Sequence, residues 1–126
     1  MAEKTAMPTL VLDEIDTGVS GEIAISLGKL MREMARGHQV ISISHLPQIA
    51  ARGDAHYFVY KNSDSKKTVS SIRKLSETER VEEIAKMIGG VKPSASTIAS
   101  AKELIQRLIH YALGITHYAL RIWWLR

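Results

Sequence analysis

The sequence predicts an α/β fold, one lobe built on parallel strands with a β-hairpin and C-terminal helices. Three observations carry this. A short apolar run, Thr9-Leu10-Val11-Leu12, is closed by acids; a second β-rich run, Gln39-Val40-Ile41-Ser42-Ile43-Ser44, follows an amphipathic stretch; and a polar turn separates two further stretches of high strand propensity. Two strands joined by a helix make a right-handed parallel unit.

The first run is short and uninterrupted, the pattern of a strand buried on both faces of a parallel sheet. Ser20 stands where it can cap the following helix, and Glu22 suits that helix's positive end. Ile23, Leu27, Leu30, Met31 and Met34 recur at the three-to-four spacing of one buried stripe, and Gly37 ends the helix. Beyond the second strand, Leu46 to Arg52 is a short helical stretch. Ala55 to Lys61 is a predicted strand, turned back by Asn62-Ser63-Asp64-Ser65 into Thr68 to Leu75. Ser76 and Glu79 form a capping box ahead of Val81, Ile84, Ala85 and Ile88, and Gly89-Gly90 supplies a left-handed exit. Pro93 opens the last segment. The spacing of Ile98, Ala101, Leu104, Ile105, Leu108, Ile109 and Ala112 predicts a long final helix running close to the end.

With 126 residues, 45% of them hydrophobic and 24% charged, the chain has the size and balance of one soluble domain. It contains no cysteine, which excludes a disulfide framework and a thiolate zinc site and fits a reducing cytoplasm. The first residues have no basic region leading into an apolar run, so no secretion signal is expected. The net charge of +4 sits largely in the tail: residues 106–126 hold Arg107, Arg121 and Arg126 and no acid, leaving +1 for the rest. Composition therefore gives little support to a basic nucleic-acid surface.

The tail differs in character from the lobe of residues 1–105. His110-Tyr111-Ala112-Leu113 recurs as His117-Tyr118-Ala119-Leu120 and is followed by Ile122-Trp123-Trp124-Leu125. Two copies of a seven-residue repeat are too few for a coiled coil, and residues 106–126 are expected to form an amphipathic aromatic helical tail. Leu108 to Leu125 is long enough to span a bilayer, but its two histidines, Gly114 and Arg121 argue against it, so no membrane partner is expected.

The chemistry centres on Leu12-Asp13-Glu14. A parallel strand delivers its last side chains to the carboxyl edge of the sheet, where ligands of open α/β folds bind. There one carboxylate can hold Mg²⁺, usually through water, while the next orients or deprotonates an attacking water. Paired acids are equally the mark of a solvated strand end. His45 ends the second predicted strand, hence lies on the same edge, where it can donate to a phosphate oxygen or the attacking water. Alone it reads as a structural histidine or a helix cap. The intervening Ile15-Asp16-Thr17-Gly18-Val19-Ser20-Gly21-Glu22 has the composition of an ordinary loop.

Two patterns mislead. Gly21 to Lys29 imitates a phosphate loop, but six residues separate Gly21 from Gly28 where four are required, and Leu30 takes the Ser/Thr position. Val19-Ser20-Gly21-Glu22 echoes an ATP-binding-cassette signature yet follows the acidic pair instead of preceding it.

In order, Pro8 to Gly21 and then Ser44-His45-Leu46-Pro47-Gln48-Ile49-Ala50 closely resemble the Walker B strand, D-loop and switch-histidine region of the RecN family of SMC-like proteins. The resemblance continues through His56-Tyr57-Phe58-Val59 and Glu83 to Gly90 as far as Ala101-Lys102-Glu103-Leu104, about residues 7–105. It implies a partial P-loop NTPase head of ATP-binding-cassette type, acting with ATP and Mg²⁺ in recombinational repair of DNA double-strand breaks. By that resemblance Asp13 binds Mg²⁺ through water, Glu14 is the catalytic base, Ser20 touches an opposing head, and His45 senses the γ-phosphate. The implied partners are an N-terminal head portion with the Walker A loop and signature motif, a second head, and DNA. The implied location is cytoplasmic, at the nucleoid. The tail from about Gln106 departs from the family.

Two rival readings stand beside this one. A metal-dependent nuclease or phosphotransferase would use Asp13, Glu14 and Asp16 as a carboxylate cluster with His45 as base, and needs Asp16 within about 4 Å of the other two; a D-loop residue should point away toward a partner. A non-catalytic oligomerisation module would depend on the aromatic tail. Apolar surface left by a missing head portion also leads us to expect a homo-oligomer of this chain, with the tail helix covering its own lobe or a second copy.

Overall fold

Parallel pairing of the first two strands sets the frame. The computed structural model describes residues 8–64, 67–109 and 120–125, with backbone alone for 62–64, 67–68, 107–109 and 120–125. Strand β1 (Thr9–Asp13) runs into helix α1 (Gly21–Met34), which returns the chain to β2 (Gln39–Ile43), parallel to β1 and in register from Thr9 beside Gln39 to Asp13 beside Ile43. A short helix α2 (Pro47–Ala50) leads into β3 (Ala55–Asp64), which pairs antiparallel with β4 (Lys67–Lys74) as the predicted hairpin. The strands run further into the predicted turn than expected, to Asp64, and Ser65 lies outside the described residues.

Helix α3 (Glu77–Gly89) begins at the predicted capping box: the Ser76 hydroxyl accepts from the Glu79 amide, and the Glu79 carboxylate accepts from the Ser76 amide at 2.8 Å. Gly90 leaves the helix with φ of 82°, which only glycine adopts without strain. Helix α4 (Ala95–Ile109) follows and continues unbroken through residue 106.

The tail departs from expectation. Leu120–Leu125 is a strand, β5, whereas the sequence reading made it helical. It lies between β2 and β3, parallel to both, in a sheet of order β1-β2-β5-β3-β4. Two helical repeats are a weak local preference, while Ile122, Trp123 and Trp124 favour strands. Here two ladders of backbone groups are satisfied at once, and tertiary pairing overrides the local pattern. The repeat between His110 and Ala119 lies outside the described residues.

Met31 and Ala35 at the end of α1, Val40, Ile49 and Ala50, Ile84 and Ala85, and Ala101 and Ile105 form one buried cluster joining all four helices to β2. Two expectations change here. Strand β1 is not buried on both faces: Leu10 and Leu12 pack on the cluster, but Val11 is 66% exposed, because successive side chains alternate between faces and only one face of β1 meets the core. The buried stripe of α1 is Ala24, Gly28 and Met31, while Ile23 and Leu30 are exposed. Gly28 explains the rotation, since a methyl group there would stand 2.5 Å from Arg52 Cδ and 3.4 Å from the Gln48 carbonyl. Gly28 of the false phosphate loop is thus a packing position of α1, facing Gln48 of α2 and Arg52 beyond it.

A buried polar pair ties α2, β3 and α3 together. His56, 5% exposed, donates from Nε2 to the Ala50 carbonyl at 2.6 Å, and Arg80 donates to the Gly53 carbonyl at 2.7 Å and to the Glu77 carboxylate at 2.9 Å. Burial, and secondarily the Arg80 charge, lower the His56 pKa to about 4, so this imidazole is neutral in the fold.

Candidate functional site at the carboxyl edge of the first two strands

Register alone brings the two signals together. Asp13 lies beside Ile43, so Glu14 and His45 both leave their strands at the same edge. Glu14 donates its amide to the Ile43 carbonyl at 3.1 Å, one bond beyond the ladder, which ties the acidic pair to the end of β2. Asp13, Glu14 and His45 are all solvent-exposed, His45 with 57% of its side chain accessible.

Glu14 has φ of 47°, the one non-glycine residue with positive φ among the described residues. Such a conformation costs of order 1 kcal/mol or more and persists where surrounding bonds dictate it. Here the Thr17 amide and hydroxyl both donate to the Glu14 carbonyl, at 3.2 and 2.9 Å, and hold the turn. Gly18 and Gly21 supply two further positive φ values, 76° and 56°, that bend the loop into α1.

Ser20 occupies the N-cap of α1 with extended backbone, as expected, but its side chain makes no capping hydrogen bond, contrary to expectation. It is exposed.

Asp16 behaves unlike either sequence-based expectation. It neither extends toward solvent and a partner nor joins a carboxylate cluster; it is 1% exposed. Its Oδ2 accepts from the Ser44 hydroxyl at 2.5 Å and from the His45 amide at 3.3 Å, and the His45 Nδ1 stands 3.7 Å away. The Ser44 hydroxyl in turn accepts from the Leu46 amide at 3.1 Å, so one oxygen pair sets the backbone on both sides of His45. Among the described residues no three His, Cys, Asp or Glu side chains stand close enough to hold a metal ion together. Sequence reasoning missed Asp16 and Ser44 as anchors. The signal was Ser44 at the end of the predicted second strand, a hydroxyl that is 2% exposed and finds its partner in Asp16.

The fold and edge therefore define a mixed α/β unit whose parallel strand pair presents two acids and a hydrogen-bonded histidine together. No family model matches the chain. Individual relatives do. The DNA repair protein RecN of Vibrio cholerae is 40% identical over 104 residues, 82% of this chain and 19% of that protein. RecN of Xylella fastidiosa strain 9a5c is 46% identical over 102 residues, 81% of this chain and 18% of the relative, and that of Bacillus subtilis 38% over 99 residues, 79% and 17%. The chain is a RecN-like sequence, matching a C-terminal portion of those proteins and spanning less than a fifth of their length. No helix among the described residues is long and apolar enough to cross a membrane.

Proposed function

We propose that this chain is the C-terminal part of an ATPase head, of the P-loop and ATP-binding-cassette type, that serves a RecN-like protein in repair of DNA double-strand breaks. The single observation that carries the reading is the bond from the Glu14 amide to the Ile43 carbonyl, which joins the acid-bearing edge of β1 to the strand leading into His45. The relatives' name, DNA repair protein, supports the biological setting.

The residues present suit the groups such a head uses. Asp13 and Glu14 offer hard carboxylate oxygens, the donor type Mg²⁺ prefers, and both are accessible. Asp13 would hold Mg²⁺ through water, and the ion when bound neutralises charge on the phosphate oxygens of ATP. Glu14 acts as base, aligning a water and accepting its proton at a carboxylate oxygen. His45 donates a hydrogen bond toward the terminal phosphate, its backbone fixed by Asp16 and Ser44. Ser20 contacts an opposing head. The phosphate cradle itself comes from elsewhere, because Gly21 to Lys29 is the first part of α1.

The partners in this reading are an N-terminal head portion carrying Walker A and signature motifs, a second head, and DNA, in the cytoplasm at the nucleoid. The isolated chain forms a homo-oligomer through its exposed apolar surface. The nuclease alternative is disfavoured because Asp16 is buried, 1% exposed, and among the described residues no three His, Cys, Asp or Glu side chains stand close enough to hold a metal ion together. In a RecN-length protein carrying this segment, Glu14→Gln tests the proposal: ATP turnover and survival of double-strand breaks fall together if it is right.

A further inference from the structure

Whole-chain composition hides a local concentration of charge. Residues 55–75 hold Lys61, Lys66, Lys67, Arg73 and Lys74 against Asp64 alone, a net +4. Residues 1–105 as a whole carry +1, so everything in them outside this segment amounts to −3. The hairpin of β3 and β4 is the basic part of an otherwise acidic region. It also reaches past its neighbour, because β5 pairs with β3 from Ala55 to Val59 while the hairpin ladder continues beyond Lys61 and Ser70.

Alternation along the strands sorts these side chains by face. Register pairs Tyr57 with Lys74, Val59 with Ile72 and Lys61 with Ser70, which places all six on one face of the hairpin. The other face meets the helices: it carries His56, buried and bonded to the Ala50 carbonyl, and Arg73, paired with Glu79 at 2.6 Å. On the first face Lys61, Ser70, Ile72 and Lys74 are exposed, and Tyr57 and Val59 are half-buried. Neither lysine is ion-paired among the described residues. Among the described strand residues Asp13 is the one acid that register puts on this side of the sheet, and it lies four strand spacings, about 19 Å, from Lys74.

We infer that this open face of the hairpin binds single-stranded DNA, with Lys61 and Lys74 on phosphates, Ser70 donating to a phosphate oxygen, and Tyr57 and Ile72 against bases. The two lysines stand about 14 Å apart along the strands, four residues at ~3.4 Å each, with the ring and the branched side chains between them. Unpaired bases offer flat faces to such a surface while their backbone follows the cations. A duplex stacks its bases inside and would use the lysines alone, and an acidic peptide would leave the apolar strip between them unmatched. The inference gives a surface to the DNA partner proposed above, and rests on that reading for DNA as the nucleic acid.

The test is fluorescence anisotropy of a labelled mixed-sequence DNA single strand of about 20 nucleotides with the full chain at low salt. No ATP is present, so the outcome is separate from any loss of turnover on Glu14→Gln. The unaltered chain should bind the single strand at least about tenfold more tightly than the same sequence as a duplex, or than polyglutamate. Lys61→Glu with Lys74→Glu should weaken binding at least about tenfold and reduce the salt slope by about 1.4, which is ~0.7 for each of two phosphates. Lys29→Glu with Lys102→Glu makes the same charge change on exposed lysines of α1 and α4, and should weaken binding less than about threefold. Equal losses in the two pairs, a duplex or polyglutamate bound as tightly as the single strand, or no binding by the unaltered chain overturns the inference. Should charge reversal unfold the chain, Lys61→Ala with Lys74→Ala against Lys29→Ala with Lys102→Ala decides by the same comparison.

Discussion

Asp16 Oδ2 accepts a hydrogen bond from the Ser44 hydroxyl at 2.5 Å across a sequence separation of 28 residues, and through this contact the loop after β1 sets the backbone that carries His45. Both residues are buried, Asp16 to 1% and Ser44 to 2% exposure, so removing one strands the other. Asp16→Ala should lower the unfolding free energy by about 2 kcal/mol and Ser44→Ala by about 1 kcal/mol, with the double variant less destabilised than their sum. Urea titration of the four chains measures it, and strict additivity would show that the two residues act separately.

Glu14 combines a strained backbone with the role proposed for it. With φ of 47° it should be relieved by glycine, making Glu14→Gly more stable than Glu14→Ala by about 1 kcal/mol in the same titration. Equal stability would mean that the turn relaxes once the carboxylate is gone.

Acid should unfold the chain through His56. Its pKa is lowered to about 4 in the fold, against about 6.5 in an unfolded chain, so the unfolded state binds the extra proton between those values. Above pH 6.5 both states are neutral and the group contributes no pH dependence. Stability then falls as pH drops from 6.5 toward 4, by a total of about 3 kcal/mol, and levels off below. His56→Gln keeps a donor for the Ala50 carbonyl and should flatten that slope, which unfolding curves at pH 7, 5 and 4 would register. An unchanged slope would assign the acid sensitivity to other groups.

Much of this architecture was legible in the residues, and the misses share one physical cause. Local signals with a fixed geometry were read correctly: the parallel pair from its apolar runs, the hairpin, the Ser76 and Glu79 capping box, the left-handed Gly90. The edge shared by Asp13, Glu14 and His45 followed from strand direction alone. What went astray depended on partners far away in sequence. The face that α1 buries is chosen by Gly28 meeting Arg52, the state of Leu120–Leu125 by two open ladders, and the orientation of Asp16 by a hydroxyl on the neighbouring strand.

Exposed apolar side chains give the chain a reason to associate. Ile23 and Leu30, seven residues apart on α1, lie on one helix face with 67% and 57% of their surface accessible, and Val11 on the outer strand is 66% accessible. Light scattering across a dilution series should show a dimer or larger species, shifted toward monomer by Ile23→Lys with Leu30→Lys at little cost in stability. A monomer at every concentration would remove the homo-oligomer from the account.

The central claim is that Glu14 is the base of an ATPase head completed by the rest of a RecN-length protein, and steady-state ATP hydrolysis by that protein with Glu14→Gln tests it most directly. The account predicts that turnover falls at least about 100-fold while ATP binding is retained, because the amide keeps the side chain's shape and loses its ability to accept the proton. Turnover equal to that of the unaltered protein would contradict it.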